Sequence, residues 1–118
     1  AVLGMESDAR ALALRLGATV AATGETDMVT DGRRLATVAN GHPLMARVTA
    51  MGCAGAAITT AFLAVAEDAF SATAAAMIVL GVAGERAAET ARGPGSFASA
   101  YLDALDALDG AEIAARAR

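Results

Sequence analysis

The stretch VTAMGCAG, at residues 48–55, is the most informative part of this sequence, because a loop of small residues runs directly into a predicted helix. The sequence predicts that this helix begins at Cys53. The first N–H groups of a helix have no partner within the helix, and that end carries about half a unit of positive charge. Small residues let an anion approach these N–H groups closely. The stretch therefore predicts an anion-binding position with a polar thiol beside it, although a lone cysteine is more often a small buried hydrophobe.

Toward the N-terminus, the pattern predicts a helix, a strand and a hairpin. Residues 8–16 form the helix, and residues 19–23 read as a short strand that is apolar on both faces. Such a pattern is typical of an interior parallel strand. Residues 28–30 and 34–38 are prone to strand formation and flank the sequence DGR at 31–33, which is a strong hairpin signal.

Toward the C-terminus, the chain is predicted to be helical. Helices are expected from residue 53 to about 66 and over 71–91, and Ser96 is predicted to cap a further helix over 97–108. Residues 110–118 read as a charged, alanine-rich tail that forms a frayed helix. One helix, one strand, a hairpin and then helices make up half of an α/β layer, with too few strands to close a sheet.

Composition limits the possible functions. The 118 residues suit one small domain, and they are 56% hydrophobic but only 3% aromatic. Buried alanines remove little area from water, so the chain is expected to need neighbouring protein to cover it. A net charge of −4 without a basic patch argues against a nucleic-acid partner.

The rarer residues exclude further classes of site. One cysteine and one histidine rule out an internal disulfide and a cysteine-rich metal site. The uncharged run at residues 71–84 is predicted to be too short to cross a bilayer, and no signal peptide is visible. A cytoplasmic protein without a membrane partner is therefore expected.

Five short motifs occur in one order along the chain: TGETD at 23–27, VTDG at 29–32, NGHPL at 40–44, VTAMGC at 48–53 and GPGSF at 93–97. Together they closely resemble the hydroxyethylthiazole kinase family of the ribokinase-like superfamily. The resemblance covers nearly the whole chain but corresponds to the second half of a family member. It implies an α/β fold in which residues 1–118 are the C-terminal portion of one incomplete kinase domain. That portion is expected to be half of a mostly parallel layered sheet, with a hairpin and packed helices.

The resemblance also implies an activity. The family transfers the γ-phosphate of ATP to the primary alcohol of 4-methyl-5-(2-hydroxyethyl)thiazole, with Mg²⁺, in thiamine biosynthesis and salvage. ATP, Mg²⁺ and the thiazole alcohol are then the expected cofactors and substrate. A homotrimer with active sites between subunits is the expected assembly.

Three residues match functional positions of the family. Thr23 falls on its nucleotide-binding threonine, and Ala50 falls on a glycine that contacts the thiazole. Cys53 falls on the proposed catalytic position, where most ribokinase-like relatives have an aspartate base. If position 50 requires a positive φ, alanine costs about 1 kcal/mol relative to glycine.

Three neighbouring residues are expected at the nucleotide. Gly24 would lie close to the phosphates, and the backbone N–H groups of Met51 and Gly52 would face the transferred phosphoryl group. No residue of this chain is assigned to a metal, and Glu25 and Asp27 are interpreted as solvated loop charges.

Two alternatives remain open. The chain could be an inactive truncated remnant that acts as an interaction module. It could also be a related small-alcohol kinase, in which Ala50 and Met51, a larger residue than the family usually has, alter the choice of substrate.

Overall fold

The computed structural model describes residues 2–118 as an α/β arrangement of nine elements. In chain order they are α1 (Val2–Leu16), β1 (Val20–Ala22), β2 (Asp27–Thr30), β3 (Leu35–Val38), a 3-10 turn (Pro43–Arg47), α2 (Met51–Val65), α3 (Ala69–Ala88), α4 (Pro94–Ala107) and α5 (Gly110–Arg116). The predicted order of a helix, a strand, a hairpin and then packed helices is confirmed.

The sheet within residues 2–118 has the strand order β1-β2-β3 and is antiparallel throughout. Val20 lies opposite Thr30, and Thr30 lies opposite Leu35. The described residues therefore do not contain the predicted parallel pairing, and β1 lies at the edge of this sheet. The physical reason is the connection, because four residues between β1 and β2 are enough for a hairpin but far too few for a parallel crossover.

The predicted hairpin between β2 and β3 is confirmed, and its turn is held by Asp31. The Oδ1 atom of Asp31 accepts hydrogen bonds from the backbone N–H groups of Arg34, at 2.7 Å, and Arg33, at 2.9 Å. These two bonds, and the side chain of Arg34 beside them, hold the pKa of Asp31 well below its ordinary value. Gly32 has a φ of 95°, which a residue with a side chain would rarely adopt.

The core is centred on α3, which packs between α2 and α4 and against the sheet. On α4 the rings of Phe97 and Tyr101 stack with centroids 5.8 Å apart, and both residues are buried. By length and composition alone, α3 is sufficient to cross a bilayer, which differs from the prediction based on residues 71–84. Half of the helix is buried inside this protein, and core helices commonly meet the same criterion.

The start of α4 differs from the prediction. The helix begins at Pro94, with Gly93 at the N-cap, so Ser96 lies inside the first turn instead of capping it. The Ser96 hydroxyl accepts a hydrogen bond from the backbone N–H of Arg92 at 2.8 Å. Proline is favoured at the first helical position because it lacks the N–H group that would have no partner there.

The C-terminal tail is helical over Gly110–Arg116, as predicted, and the fraying of this helix stays a prediction. The Asp109 side chain caps α5 by accepting a hydrogen bond from the Glu112 N–H at 2.9 Å. Arg116 forms ion pairs with Glu112 on its own helix and with Glu89. The tail is therefore anchored by contacts with residues far from it in sequence, which composition alone does not reveal.

Candidate active site

Helix α2 begins at Met51, two residues before the predicted start at Cys53. Its N-cap, Ala50, has a φ of 66° and a ψ of 10°, in the left-handed region. The first helical hydrogen bond runs from the Ala54 N–H to the Ala50 carbonyl at 3.0 Å. Because the side chain of Ala50 is a methyl group, it cannot cap the N–H groups at this end of the helix. Alanine in this conformation costs about 1 kcal/mol relative to glycine.

A cavity of about 1230 Å³ lies against the N-terminal half of α2. Its walls come from the β1–β2 turn, the segment 39–46, the N-terminal half of α2 and the middle of α3. Four of the predicted site residues line it together: Thr23, Gly24, Met51 and Gly52. The fold therefore joins the first and the fourth of the five motifs in one concave site.

The other two predicted site residues do not line this cavity. Ala50 and Cys53 are both exposed, and they lie directly before and after the lining residues Met51 and Gly52. Cys53 is the third residue of α2, so its backbone N–H is one of the amides without a helical partner. A thiol at this position is open to a molecule that enters from outside.

The β1–β2 turn is closed by Asp27, whose Oδ1 accepts a hydrogen bond from the Gly24 N–H at 3.0 Å. Asp27 is half-buried and lines the cavity, which differs from its interpretation as a solvated loop charge. Burial raises the pKa of its carboxyl, and the bond from Gly24 partly opposes that shift. Thr23 and Glu25 of the same turn are exposed.

The opposite wall is apolar and contains residues that sequence reasoning missed. Met77 and Leu80 of α3 line the cavity together with Tyr101 of α4. The Tyr101 hydroxyl donates a long hydrogen bond to the Leu80 carbonyl at 3.4 Å. Burial raises the pKa of Tyr101 to about 12. The helical spacing of these three residues is typical of core positions, so no local sequence pattern identifies them as part of a site.

The segment 39–43 forms a third part of the wall. His42 belongs to it, and its Nδ1 atom accepts a hydrogen bond from the Leu44 N–H at 3.1 Å. This bond caps the 3-10 turn. Asn40 and Arg118 also reach the cavity, and only the motif NGHPL had drawn attention to Asn40.

The arrangement suits an anion on one side and an apolar group on the other. Met51 and Gly52 at the start of α2, and Thr23 with its hydroxyl group, line the same cavity as Met77 and Leu80. A cavity of this kind can orient a molecule that carries both a charged and an apolar part. Among residues 2–118, the structure contains no group of three His, Cys, Asp or Glu side chains that could hold a metal ion.

Comparison with known proteins identifies the family of the chain. The model of the hydroxyethylthiazole kinase family matches residues 3–111. This chain belongs to the hydroxyethylthiazole kinase family. A hydroxyethylthiazole kinase of Cereibacter sphaeroides is 57% identical over 107 residues, and one of Rhizobium etli is 54% identical over 114 residues.

A solved structure of a hydroxyethylthiazole kinase protein from Pyrococcus horikoshii has the same arrangement. It superposes with a TM-score of 0.89 at 42% sequence identity, over 98% of this chain. The matched region is 46% of that protein, and it is 40% and 44% of the two bacterial kinases. This chain thus spans less than half the length of the family members that it matches.

Proposed function

We propose that residues 1–118 are the C-terminal portion of a ribokinase-like hydroxyethylthiazole kinase domain. The complete enzyme would transfer the γ-phosphate of ATP to the primary alcohol of 4-methyl-5-(2-hydroxyethyl)thiazole. The observation that carries this proposal is that the first two residues of α2, Met51 and Gly52, line the same cavity as Thr23 and Gly24. Membership of the family and the names of the relatives support the reaction class.

Each predicted site residue has a role in this reaction. The alcohol oxygen forms a bond to the γ-phosphorus while the bond from that phosphorus to the bridging oxygen breaks, and ADP leaves. The N–H groups of Met51 and Gly52 stabilise the negative charge on the transferred group. Thr23 and Gly24 hold the nucleotide. Ala50 and Cys53 lie directly beside the lining residues Met51 and Gly52, where Ala50 would contact the thiazole and the thiolate form of Cys53 would take the alcohol proton.

Mg²⁺ is the expected partner of ATP in this reaction. Mg²⁺ in kinase sites is typically held by one or two carboxylates, by substrate phosphates and by water. Asp27 is already engaged by the Gly24 N–H, and residues 2–118 contain no three-ligand cluster. Glu25 and Asp27 are carboxylates of the cavity lining, and no residue of this chain is proposed as a magnesium ligand.

The test is a phosphoryl-transfer assay on the complete gene product that contains this chain, with ATP, Mg²⁺ and the thiazole alcohol. Formation of ADP and of the phosphorylated thiazole in equal amounts is expected. Turnover of other small primary alcohols but not of the thiazole would instead identify a related kinase, with Ala50 and Met51 as the residues that alter selection. Absence of turnover with every alcohol would favour an inactive interaction module.

We further propose that the enzyme is a cytoplasmic homotrimer. Several large apolar side chains are exposed in this chain, among them Leu16 at 62%, Val65 at 84% and Leu102 at 64%. An interface between subunits would bury apolar side chains of this kind. Sedimentation equilibrium of the complete protein would give three times the subunit mass, and a monomer at micromolar concentration would contradict this assembly.

A further inference from the structure

Asn40 lies buried at the edge of the cavity, and its side chain joins three separate parts of the chain. Its Nδ2 atom donates to the Arg116 carbonyl at 2.7 Å and to the Glu85 Oε2 atom at 3.1 Å. Its Oδ1 atom accepts from the Arg118 N–H at 2.8 Å. Two partners are acceptors and one is a donor, so only this orientation of the amide satisfies all three.

The backbone on both sides of Asn40 is held in the same way. The Ala39 N–H donates to the Arg118 carbonyl at 2.7 Å. The Gly41 N–H donates to Glu85 Oε1 at 3.4 Å. Three consecutive residues are thus tied to α3 and to the segment that follows α5.

The loop also lies directly against α3, at a position where only glycine fits. A Cβ atom on Gly81 would come within 2.5 Å of the Asn40 Cβ and 2.7 Å of the Asn40 carbonyl carbon. Gly41 has a φ of 131°, a conformation that residues with side chains rarely adopt. The backbone path of this loop is therefore determined by contacts on its inner side and by its own glycine.

Residues 39–43 line the cavity without a break, and Arg118 lines it beside them. We propose that Asn40 is a positioning residue, which holds the loop 39–43 in the shape that the ligand meets by tying it to Glu85 and to residues 116–118. The proposal rests on the proposed function only for the identity of the ligand. The competing explanation is that the guanidinium of Arg118, paired with Glu85, holds the loop.

Hydrogen exchange of backbone amides separates these explanations in the complete gene product without ligand. Asn40→Ala removes the side-chain bonds, whereas Arg118→Ala keeps the N–H and carbonyl groups of residue 118 and removes only the ion pair. Asn40→Ala is expected to speed exchange within 39–43 and at residue 118 by roughly tenfold or more. Arg118→Ala is expected to change it by less than about threefold, because its side chain is largely exposed. Amide exchange rates in Asn40→Ala equal to those of the parent would overturn the proposal. An equal increase of these rates in both variants would also overturn it.

Ligand affinity and turnover test the consequence for the site. The probes are ATP and the thiazole alcohol, with dissociation constants measured by calorimetry and KM and kcat by the coupled assay. Asn40→Ala is expected to weaken at least one probe by on the order of tenfold, with kcat at saturation changed by less than about threefold. Arg33→Ala, at an exposed position that does not line the cavity, should bind both probes as the parent does. A loosened loop with unchanged affinity for both probes would overturn the positioning role.

If Asn40→Ala does not fold, the parent protein itself supplies the test. Addition of a probe should then slow exchange in 39–43 and in 116–118 together, because the two segments share their hydrogen bonds. Protection of the loop alone would overturn the proposal. A parent that binds neither probe would contradict the proposed kinase function, while the exchange comparison still decides whether Asn40 holds the loop.

Discussion

Ionisation of Tyr101 should destabilise the protein in a narrow alkaline range. The side chain is 3% exposed, and the residue lies in the core between α3 and α4. Burial raises its pKa from 10.0 to about 12. The native state thus binds the phenolic proton more tightly than the unfolded state does, so the stabilisation is complete below pH 10 and is lost as the pH rises toward 12.

The size of the effect follows from the shift. Each pKa unit corresponds to about 1.4 kcal/mol, so a shift of about two units gives a loss of roughly 3 kcal/mol in the free energy of unfolding. At about pH 11, half of this, roughly 1.4 kcal/mol, should already be lost. Tyr101→Phe removes the titrating group and only one long hydrogen bond, to the Leu80 carbonyl at 3.4 Å. The variant should therefore be within about 1 kcal/mol of the parent at neutral pH and more stable than the parent above pH 11.

The assay combines denaturant unfolding with near-ultraviolet absorbance of the tyrosinate. Tyr101 is the only tyrosine of this sequence, and the nine basic side chains are all arginines, which stay charged in this range. The difference between the parent and Tyr101→Phe isolates this one group, because both proteins carry every other titrating residue. A midpoint near 10 in the folded parent, or equal alkaline losses in both proteins, would refute the reasoning.

Three substitutions and one matched control test the backbone and the helix end. Ala50→Gly should raise the free energy of unfolding by about 1 kcal/mol in denaturant titrations, because φ is 66° at this position, and no gain would contradict the strain. Gly81→Ala should lower it by more than about 2 kcal/mol, because the new Cβ would overlap Asn40. The matched control is Gly55→Ala, whose Cβ meets only Leu80 Cδ1 at 3.6 Å and which should be neutral or stabilising; similar losses in both would exclude the overlap as the cause. Cys53→Ala should slow kcat more than it weakens ATP binding, and an unchanged kcat would remove Cys53 from the mechanism.

The sequence by itself determined the features that depend on neighbouring residues. The turn at residues 31–34 requires only the carboxylate of Asp31 followed by Gly32, so the local sequence was sufficient to predict the hairpin. The motif at residues 48–53 predicted the start of a helix after a run of small residues. The order of the five motifs along the chain indicated the family. The helix began two residues earlier than predicted because a left-handed alanine can end a loop, which no propensity scale would favour.

Only the tertiary structure decided how distant parts meet. The cavity combines Thr23 of a turn, Met51 of a helix start and Tyr101 of a core helix, and no spacing along the chain relates these three. The tail is tied to the rest of the chain by residues that are far from it in sequence. Asn40 forms hydrogen bonds with residues 116 and 118, and Glu89 forms an ion pair with Arg116. Such contacts form only when distant parts of the chain fold against each other, and their free energy depends on loop closure and packing. Local sequence patterns therefore do not predict them.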